Sequence, residues 1–328
     1  MGLIELARRA EPGPEEGDRM SGFDVLVLGG VGVDTIVHVL ELEFPAGDGV
    51  AVPPVRDYVA HSGNGVALGF HGLGLRTKFV DFLGEDSLGA LVRSRYAEVG
   101  LDFSYMPAAN GTPRSVNLVD QHGRRFSFFD GRHPADAELP PEFYLPMLEQ
   151  SRHVHIAGRG FGAFAHAQRL GVTTSTDIHA WDGSDDSLQR YAHEADLVFL
   201  SSAKAPERID EIMFAVLERG RAQIVVATEG EHGSRVLTRA DPRIRRFPIV
   251  APDNPVVDSN GAGDAYSTAF MSRWFADRPI EECALAGAVS GAFACTVHGT
   301  CEEQIGDGAL AVAMKRVAAT PEWRTIGG

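Results

Sequence analysis

Apolar residues along this chain come in short unbroken runs and in helical spacing, and the two alternate. Asp24-Val-Leu-Val-Leu-Gly-Gly reads as a buried strand ending in a glycine turn, because a continuous apolar run suits a sheet covered on both faces. The spacing predicts a helix over 63–75, a strand over Lys78-Phe-Val-Asp-Phe-Leu-Gly and a helix over 86–99. From His153 onward strand and helix patterns repeat over 153–157, 161–170, 173–177, 186–193, 196–200, 207–219 and 223–228. Such alternation implies right-handed βαβ crossovers and a mostly parallel sheet. His153 and His155, alternating on one of these strands, read as core or ladder positions. Pro279, with Glu281 and Glu282, opens a last small-residue helix that stops near Gly299.

Two stretches break this rhythm. Residues 40–60 hold Pro45, Gly47, Gly49, Pro53 and Pro54 between short β-like pieces, which is the composition of a hairpin excursion. Residues 112–130 alternate in β fashion about a turn at His122-Gly123, with Ser115-Val-Asn-Leu-Val on one side and Arg125-Phe-Ser-Phe-Phe on the other. The two excursions are expected to pair into a small sheet over the edge of one large α/β domain spanning 22–328. Residues 1–21, polar and carrying Glu-Pro-Gly-Pro-Glu-Glu, are expected to be a disordered leader.

Composition narrows the partners. The formal net charge of −15 argues against sequence-independent binding to nucleic acid or to an anionic membrane. It leaves an anionic small ligand open, since backbone N–H groups bind phosphate without basic side chains. No apolar run approaches the ~20 residues that span a bilayer. The three cysteines, Cys283, Cys295 and Cys301, have no CxxC spacing, and reduced thiols in a cytoplasmic protein are expected.

The chemistry concentrates in Asp258-Ser-Asn-Gly-Ala-Gly-Asp264. Val256 and Val257 are expected to close a buried strand before it. Tyr266, Phe270 and Trp274, four apart, begin a helix after it. A glycine turn before a helix N-terminus is an anion site, with free N–H groups and the positive end of the helix dipole. Asp264 falls in the first turn of that helix. A carboxylate placed there is suited to take a proton from a hydroxyl while the N–H groups of Gly261, Ala262 and Gly263 hold a phosphate.

Asp-Ser-Asn-Gly-Ala-Gly-Asp resembles the C-terminal signature of the PfkB, or ribokinase-like, carbohydrate kinases. Further pieces follow in the family's order across roughly residues 23–305. Gly29-Gly-Val-Gly-Val-Asp34 resembles the first-strand segment whose Asp binds substrate hydroxyls. Ser62-Gly-Asn-Gly-Val-Ala67 resembles the N-terminal glycine signature. Leu83-Gly-Glu-Asp-Ser-Leu-Gly89 resembles the Gly-x-Asp-x-x-Gly element, and Thr228-Glu-Gly-Glu-His-Gly233 the nucleotide-side turn. The resemblance implies an α/β fold, a ribokinase-like three-layer sandwich with a mostly parallel central sheet and a small β-sheet lid. It implies ATP-dependent phosphorylation of a hydroxyl on a sugar or sugar-like small molecule, with Mg2+. By resemblance Asp264 is the general base beside the anion hole of Gly261, Ala262 and Gly263. Asp34, Gly63 and Asn64 meet the substrate, and Thr228, Gly230, Gly233 and Asn260 meet ATP. A K+ site would use Asp258, Asn260 and carbonyls around 294–299. A homodimer through the lid is implied too, and open sheet edges also seek partners.

Two departures bear on specificity. The N-terminal signature has Ser62, Gly63 and Ala67 where the family has two glycines and a sugar-binding Asn. Leu200-Ser-Ser-Ala-Lys204 lacks the Asn-x-x-Glu that organises metal and phosphate, so Mg2+ would rely more on water and the ATP phosphates. Other readings stand beside the sugar kinase: a nucleoside kinase, with Phe126, Phe128 and Phe129 offering an aromatic pocket for a base, and a non-catalytic ligand-binding protein on the same fold. Gly30-Val-Gly-Val-Asp34 also carries an incomplete dinucleotide fingerprint, with Thr35 at the third glycine position. Arg114, Arg124 and Arg125 on the second excursion are either phosphate contacts or solvated edge charges. Asp177-Ile-His179 follows a strand end, where ligands of α/β folds sit.

Overall fold

The computed structural model describes residues 22–43, 47–122, 124–130, 132–134, 136–257, 259–297, 299 and 301–324. The expected leader at 1–21, the turn residue Gly123 and the cation-site residue Asp258 lie outside them. The chain begins with β1 (Phe23–Leu28), β2 (Gly32–His38), β3 (Arg56–Ala60), α1 (Ser62–Gly72), β4 (Thr77–Leu83), α2 (Ser87–Val99) and β5 (Asp102–Pro107). Then come β6 (Arg114–Val119), β7 (Arg125–Phe129), α3 (Pro141–Leu148), β8 (Ser151–Ile156), α4 (Ala163–Leu170), β9 (Thr173–Asp177), α5 (Asp186–Glu194) and β10 (Leu197–Ser201). The C-terminal part holds α6 (Ile209–Arg219), β11 (Ile224–Thr228), β12 (Ser234–Thr238), β13 (Arg245–Phe247), α7 (Ala262–Trp274), α8 (Ile280–Ala294), α9 (Asp307–Ala318) and α10 (Pro321–Arg324).

Among the described residues the main sheet has nine strands, in the order β13-β12-β11-β10-β9-β8-β1-β4-β5. It is parallel from β11 to β5, and β12 and β13 add an antiparallel edge. Alternate residues of β1 explain the layers. Val25 and Val27 pack on one face with Phe70 of α1, Phe270 and Met271 of α7 and Ala284 of α8. Leu26 and Leu28 pack on the other with Tyr144 of α3, Phe164 of α4 and Met213 of α6. Both faces are covered, as the unbroken apolar strands require. Phe270 is fully buried, and truncating it to Ala would cost about 3–5 kcal/mol.

The second sheet has four strands, β3-β2-β6-β7. The hairpin expected at 112–130 is β6 and β7. The first excursion begins earlier than the sequence pattern suggested. Its first strand is β2, so Asp34 stands on a lid strand, and β3 returns antiparallel to it. The glycine turn after β1 makes this exit possible. Gly29 has φ 78°, and a Cβ there would stand 2.2 Å from the Gly158 carbonyl oxygen.

A second expectation fails before α7. Val256 and Val257 form no strand; Val256 is 63% exposed, and Pro252 and Pro255 deny the segment the N–H groups a ladder needs. Among the described residues no helix is long and apolar enough to cross a membrane.

Candidate active site

The turn before α7 is built as its glycines demand. Gly261 caps the helix at φ 75°, and a Cβ on it would lie 2.6 Å from Cys301 Sγ. A Cβ on Gly263 would meet nothing within 4 Å, so the cleft opens there. Of the N–H groups at this N-terminus, that of Ala262 already donates to the Ser259 carbonyl at 3.3 Å. The remaining first-turn N–H groups have no intrahelical acceptor and are left for an anion.

Asp264 is half-buried on the first turn of α7 and leans over α1. Its Oδ2 lies 2.2 Å from where a Cβ on Gly65 would stand. Gly65 was not singled out in the sequence, although it lies inside the quoted Ser62-Gly-Asn-Gly run. It leaves the space the carboxylate occupies. Burial holds the Asp264 carboxyl well above the usual carboxylate range, and the neighbouring charge of Asp177 raises it further. The carboxylate is thereby made more basic.

Asp177 ends β9 and accepts the His179 N–H at 2.7 Å. Among the described residues no group of three or more His, Cys, Asp or Glu side chains could hold a metal ion. Lys204, on the segment lacking Asn-x-x-Glu, pairs with Asp182 at 3.0 Å.

The nucleotide-side turn follows β11. Thr228 ends that strand, and Gly230 and Gly233 have φ 56° and 95°. A Cβ on Gly233 would stand 2.0 Å from the Phe247 carbonyl oxygen, so this glycine secures the close pass of β12 and β13. Glu229 receives Arg235 at 2.8 and 2.6 Å, which fixes the turn's shape. Ser234 and Tyr266 hydroxyls meet at 2.8 Å, so the turn is tied to α7 two residues past Asp264.

The acceptor side comes from the lid. Asp34 is 8% exposed; its Oδ2 accepts from Asn117 Nδ2 at 2.8 Å, while Oδ1 takes no hydrogen bond among the described residues. His61 Nε2 lies 3.4 Å from that Oδ1 and 3.2 Å from Ser115 Oγ. Of the other residues expected to meet substrate, Gly63 is a packing position: a Cβ there would lie 1.8 Å from the Gly29 carbonyl oxygen. Asn64 faces the core. It is fully buried, donates to the Val59 carbonyl at 3.1 Å and accepts from Tyr96 Oη at 2.9 Å.

The three lid arginines separate. Arg114 bonds Thr35 and Asp57, and Arg124 bonds Asp120 and Glu41, all within the lid. Arg125 alone of the three reaches out of the lid sheet, donating to Asn260 Oδ1 in the turn before α7. Asn260, expected to meet ATP, is 5% exposed and thus joined to the lid.

The family model described as pfkB family carbohydrate kinase matches residues 24–305. The chain belongs to that family. Its fold is the ribokinase-like sandwich, and it is an ATP-dependent kinase of a sugar-like hydroxyl. Among curated relatives of this family member, an acarbose 7(IV)-phosphotransferase from Actinoplanes sp. is 47% identical over 84% of this chain and 93% of its own length. A nucleoside kinase from Methanothermobacter thermautotrophicus is 26% identical over 84% of this chain and 91% of its own. Among solved structures, the microbiome-derived acarbose kinase Mak1 superposes with TM-score 0.83 at 41% identity, over 90% of this chain and all of that one. Ribokinase from Giardia lamblia shares the fold, with TM-score 0.77 at 16% identity, over 90% of this chain and all of its own.

Proposed function

We propose that this kinase phosphorylates a carbohydrate of the acarbose kind rather than a nucleoside, with Asp264 as general base. The observation that carries the reading is the face of the lid over the cleft. Strand partners share a face, so Asp34, Ser115 and Asn117 look inward. Phe126 and Phe128 pair with Leu118 and Val116 and look outward. The inner lining offers hydroxyl-binding groups and, of the three lid phenylalanines, Phe129 alone, whereas a nucleobase would call for a fuller aromatic slot. The identity to an acarbose phosphotransferase points the same way.

In this reading Asp34 Oδ1 accepts from an acceptor hydroxyl and orients the ring. Asp264 takes the proton of the attacking hydroxyl. N–H groups at the start of α7 receive the charge that develops on the transferred group, and Thr228, Gly230 and Gly233 shape the ATP side. Mg2+, bound with ATP, would neutralise phosphate charge near Asp177. Arg125 closes the lid onto the turn at Asn260, excluding water and adding positive charge over the phosphates. A monovalent cation beside this turn belongs to the same proposal. With Asn260 Oδ1 engaged by Arg125, it would draw on Asp258 and on carbonyls near 294–299. Equal rates in potassium and in a large organic cation would remove it.

The outward face of the lid carries Phe126 and Phe128, 56% and 48% exposed, and we take it as the contact of a homodimer. A requirement for ATP suits a cytoplasmic protein. The test of the reading is a panel of acarbose, glucose, ribose and adenosine with ATP and Mg2+, read by mass spectrometry for a phosphorylated product. Acarbose should be the preferred acceptor, and a preference for adenosine would overturn the reading.

A further inference from the structure

The acceptor cleft does not end at Asp34. Past His61 it continues into a cavity of about 130 Å3 between the main sheet and the lid, with Ser115, Phe129, Asp130 and Arg159 among its lining. For scale, an engineered protein cavity of about 150 Å3 admits one benzene. The space is of that order, so at most one ring enters it.

Arg159 is the unexplained residue here. It follows β8 with φ 53°, a conformation a non-glycine side chain rarely adopts. Its Nη1 is buried and makes no hydrogen bond among the described residues. Strain and an unsatisfied donor in one residue are both costly, and such pairs persist where a ligand completes them. Asp81 supplies the counter-charge beneath. It is buried, and its oxygens are taken by the N–H groups of Val31 and Phe82, each at 2.7 Å, which leaves the guanidinium free to turn to the cavity. Asp34 Oδ1, reached through His61, is a buried acceptor in the same unsatisfied state. His61 thus stands between that buried acceptor and the cavity that Arg159 lines.

Phe129 completes the surface. It pairs with Ser115 across β6 and β7, which puts it on the inward face of the lid, yet it is 81% exposed. An exposed aromatic ring at the rim of a cavity of mixed polar and apolar lining matches a sugar, whose ring has hydroxyls around its edge and C–H groups on its faces.

We propose that this cavity is a second acceptor subsite, which holds the ring next to the one being phosphorylated. Arg159 donates to the hydroxyls of that ring, and Phe129 stacks on its apolar face. The inference rests on the carbohydrate reading above and narrows it: the preferred acceptor has several linked rings.

Calorimetric titration of the full chain with acarbose and with glucose tests this, without ATP. The variants are Arg159→Gly, which the local φ accommodates, and Phe129→Ala at an exposed position. Wild type should bind acarbose at least about tenfold tighter than glucose, and each variant should reduce that ratio by about tenfold, the scale of one hydrogen bond to a charged group. Equal affinity for the two sugars in wild type, or a ratio untouched in both variants, overturns the subsite. Adenosine binding that depends on Phe129 would overturn it too. Acarbose bound as expected but never phosphorylated would defeat the functional reading and leave the subsite standing. Acarbose phosphorylated with the same KM in wild type and both variants would do the reverse.

Discussion

The proposed phosphoryl-transfer end and the proposed acceptor end of this kinase are built from different material. The transfer end is mostly main chain: a left-handed Gly261, the first turn of α7 and the turn at Gly230–Gly233 between β11 and β12. The acceptor end is mostly side chain, with Asp34 and Asn117 from two lid strands, His61 before α1 and Arg159 after β8. A main-chain device needs glycines in fixed order and tolerates little change. A constellation of side chains from separate segments can be exchanged one member at a time, and specificity drifts there.

The sharpest way to break this contrast is Asp264→Asn. It should lower kcat by about 10²–10⁴, the range for loss of a general base. It should also raise Tm at neutral pH. The raised folded-state pKa means the fold binds that proton more tightly than the unfolded chain does. Stability therefore falls as pH rises from the ordinary Asp value toward the raised one, and a neutral side chain removes the penalty. A thermal melt alongside the kinetics checks both signs.

Gly65→Ala comes next. Alanine in a helix interior would ordinarily stabilise by about 0.5–1 kcal/mol. Here its Cβ displaces the Asp264 carboxylate, and a shift of about 1 Å in a reacting group costs about 10² in rate. Loss of kcat without loss of fold is the expected signature, and unchanged turnover would place Asp264 elsewhere. Asp34→Ala probes the other end. Acceptor kcat/KM should fall about 10- to 100-fold, the scale of a hydrogen bond to a charge, while KM for ATP holds. If KM for ATP moved equally, the two ends would not be separable.

Arg125→Met should have a smaller effect, about fivefold or less on kcat, since a part-exposed latch contributes modestly. A separate effect, on stability rather than on rate, lies beneath both ends. His153 and His155 are buried and neutral, and burial pushes His155 down to about 3. Between about 6.5 and 3 the unfolded chain takes up a proton there and the fold does not, so stability should decline as pH falls through that window. Equilibrium denaturation at several pH values, with His155→Gln flattening the decline, checks this.

The same contrast explains what could be read in the sequence. The strand and helix alternation from His153 onward was legible because strands such as β10 and β11 are apolar runs covered on both faces, and the hairpin at 112–130 because apolar and polar residues largely alternate about its turn. The start of the lid was not: β2 carries Val33 and Ile36 into a core and so looks like the rest of the sheet. Val256 and Val257 misled for the opposite reason, being apolar but set after two prolines and left outside any ladder. At the transfer end, glycines adjacent in sequence are adjacent in space, and Gly261–Asp264 could be named from the letters alone. Asn64 could not be told from a substrate contact, because its partners Val59 and Tyr96 are chosen by packing. His61 and Arg159 left no signal, since nothing in a lone His or Arg shows which cavity it will line.

The proposed reaction turns on Asp264, whose raised carboxylate at the start of α7 draws the proton from a carbohydrate hydroxyl during transfer from ATP. Single-turnover transfer from labelled ATP to acarbose, comparing wild type with Asp264→Asn at equal occupancy of both substrates, tests this step without interference from product release. Wild type should add one phosphoryl group, and transfer in the variant should be at least about 10²-fold slower. Equal transfer rates would contradict it.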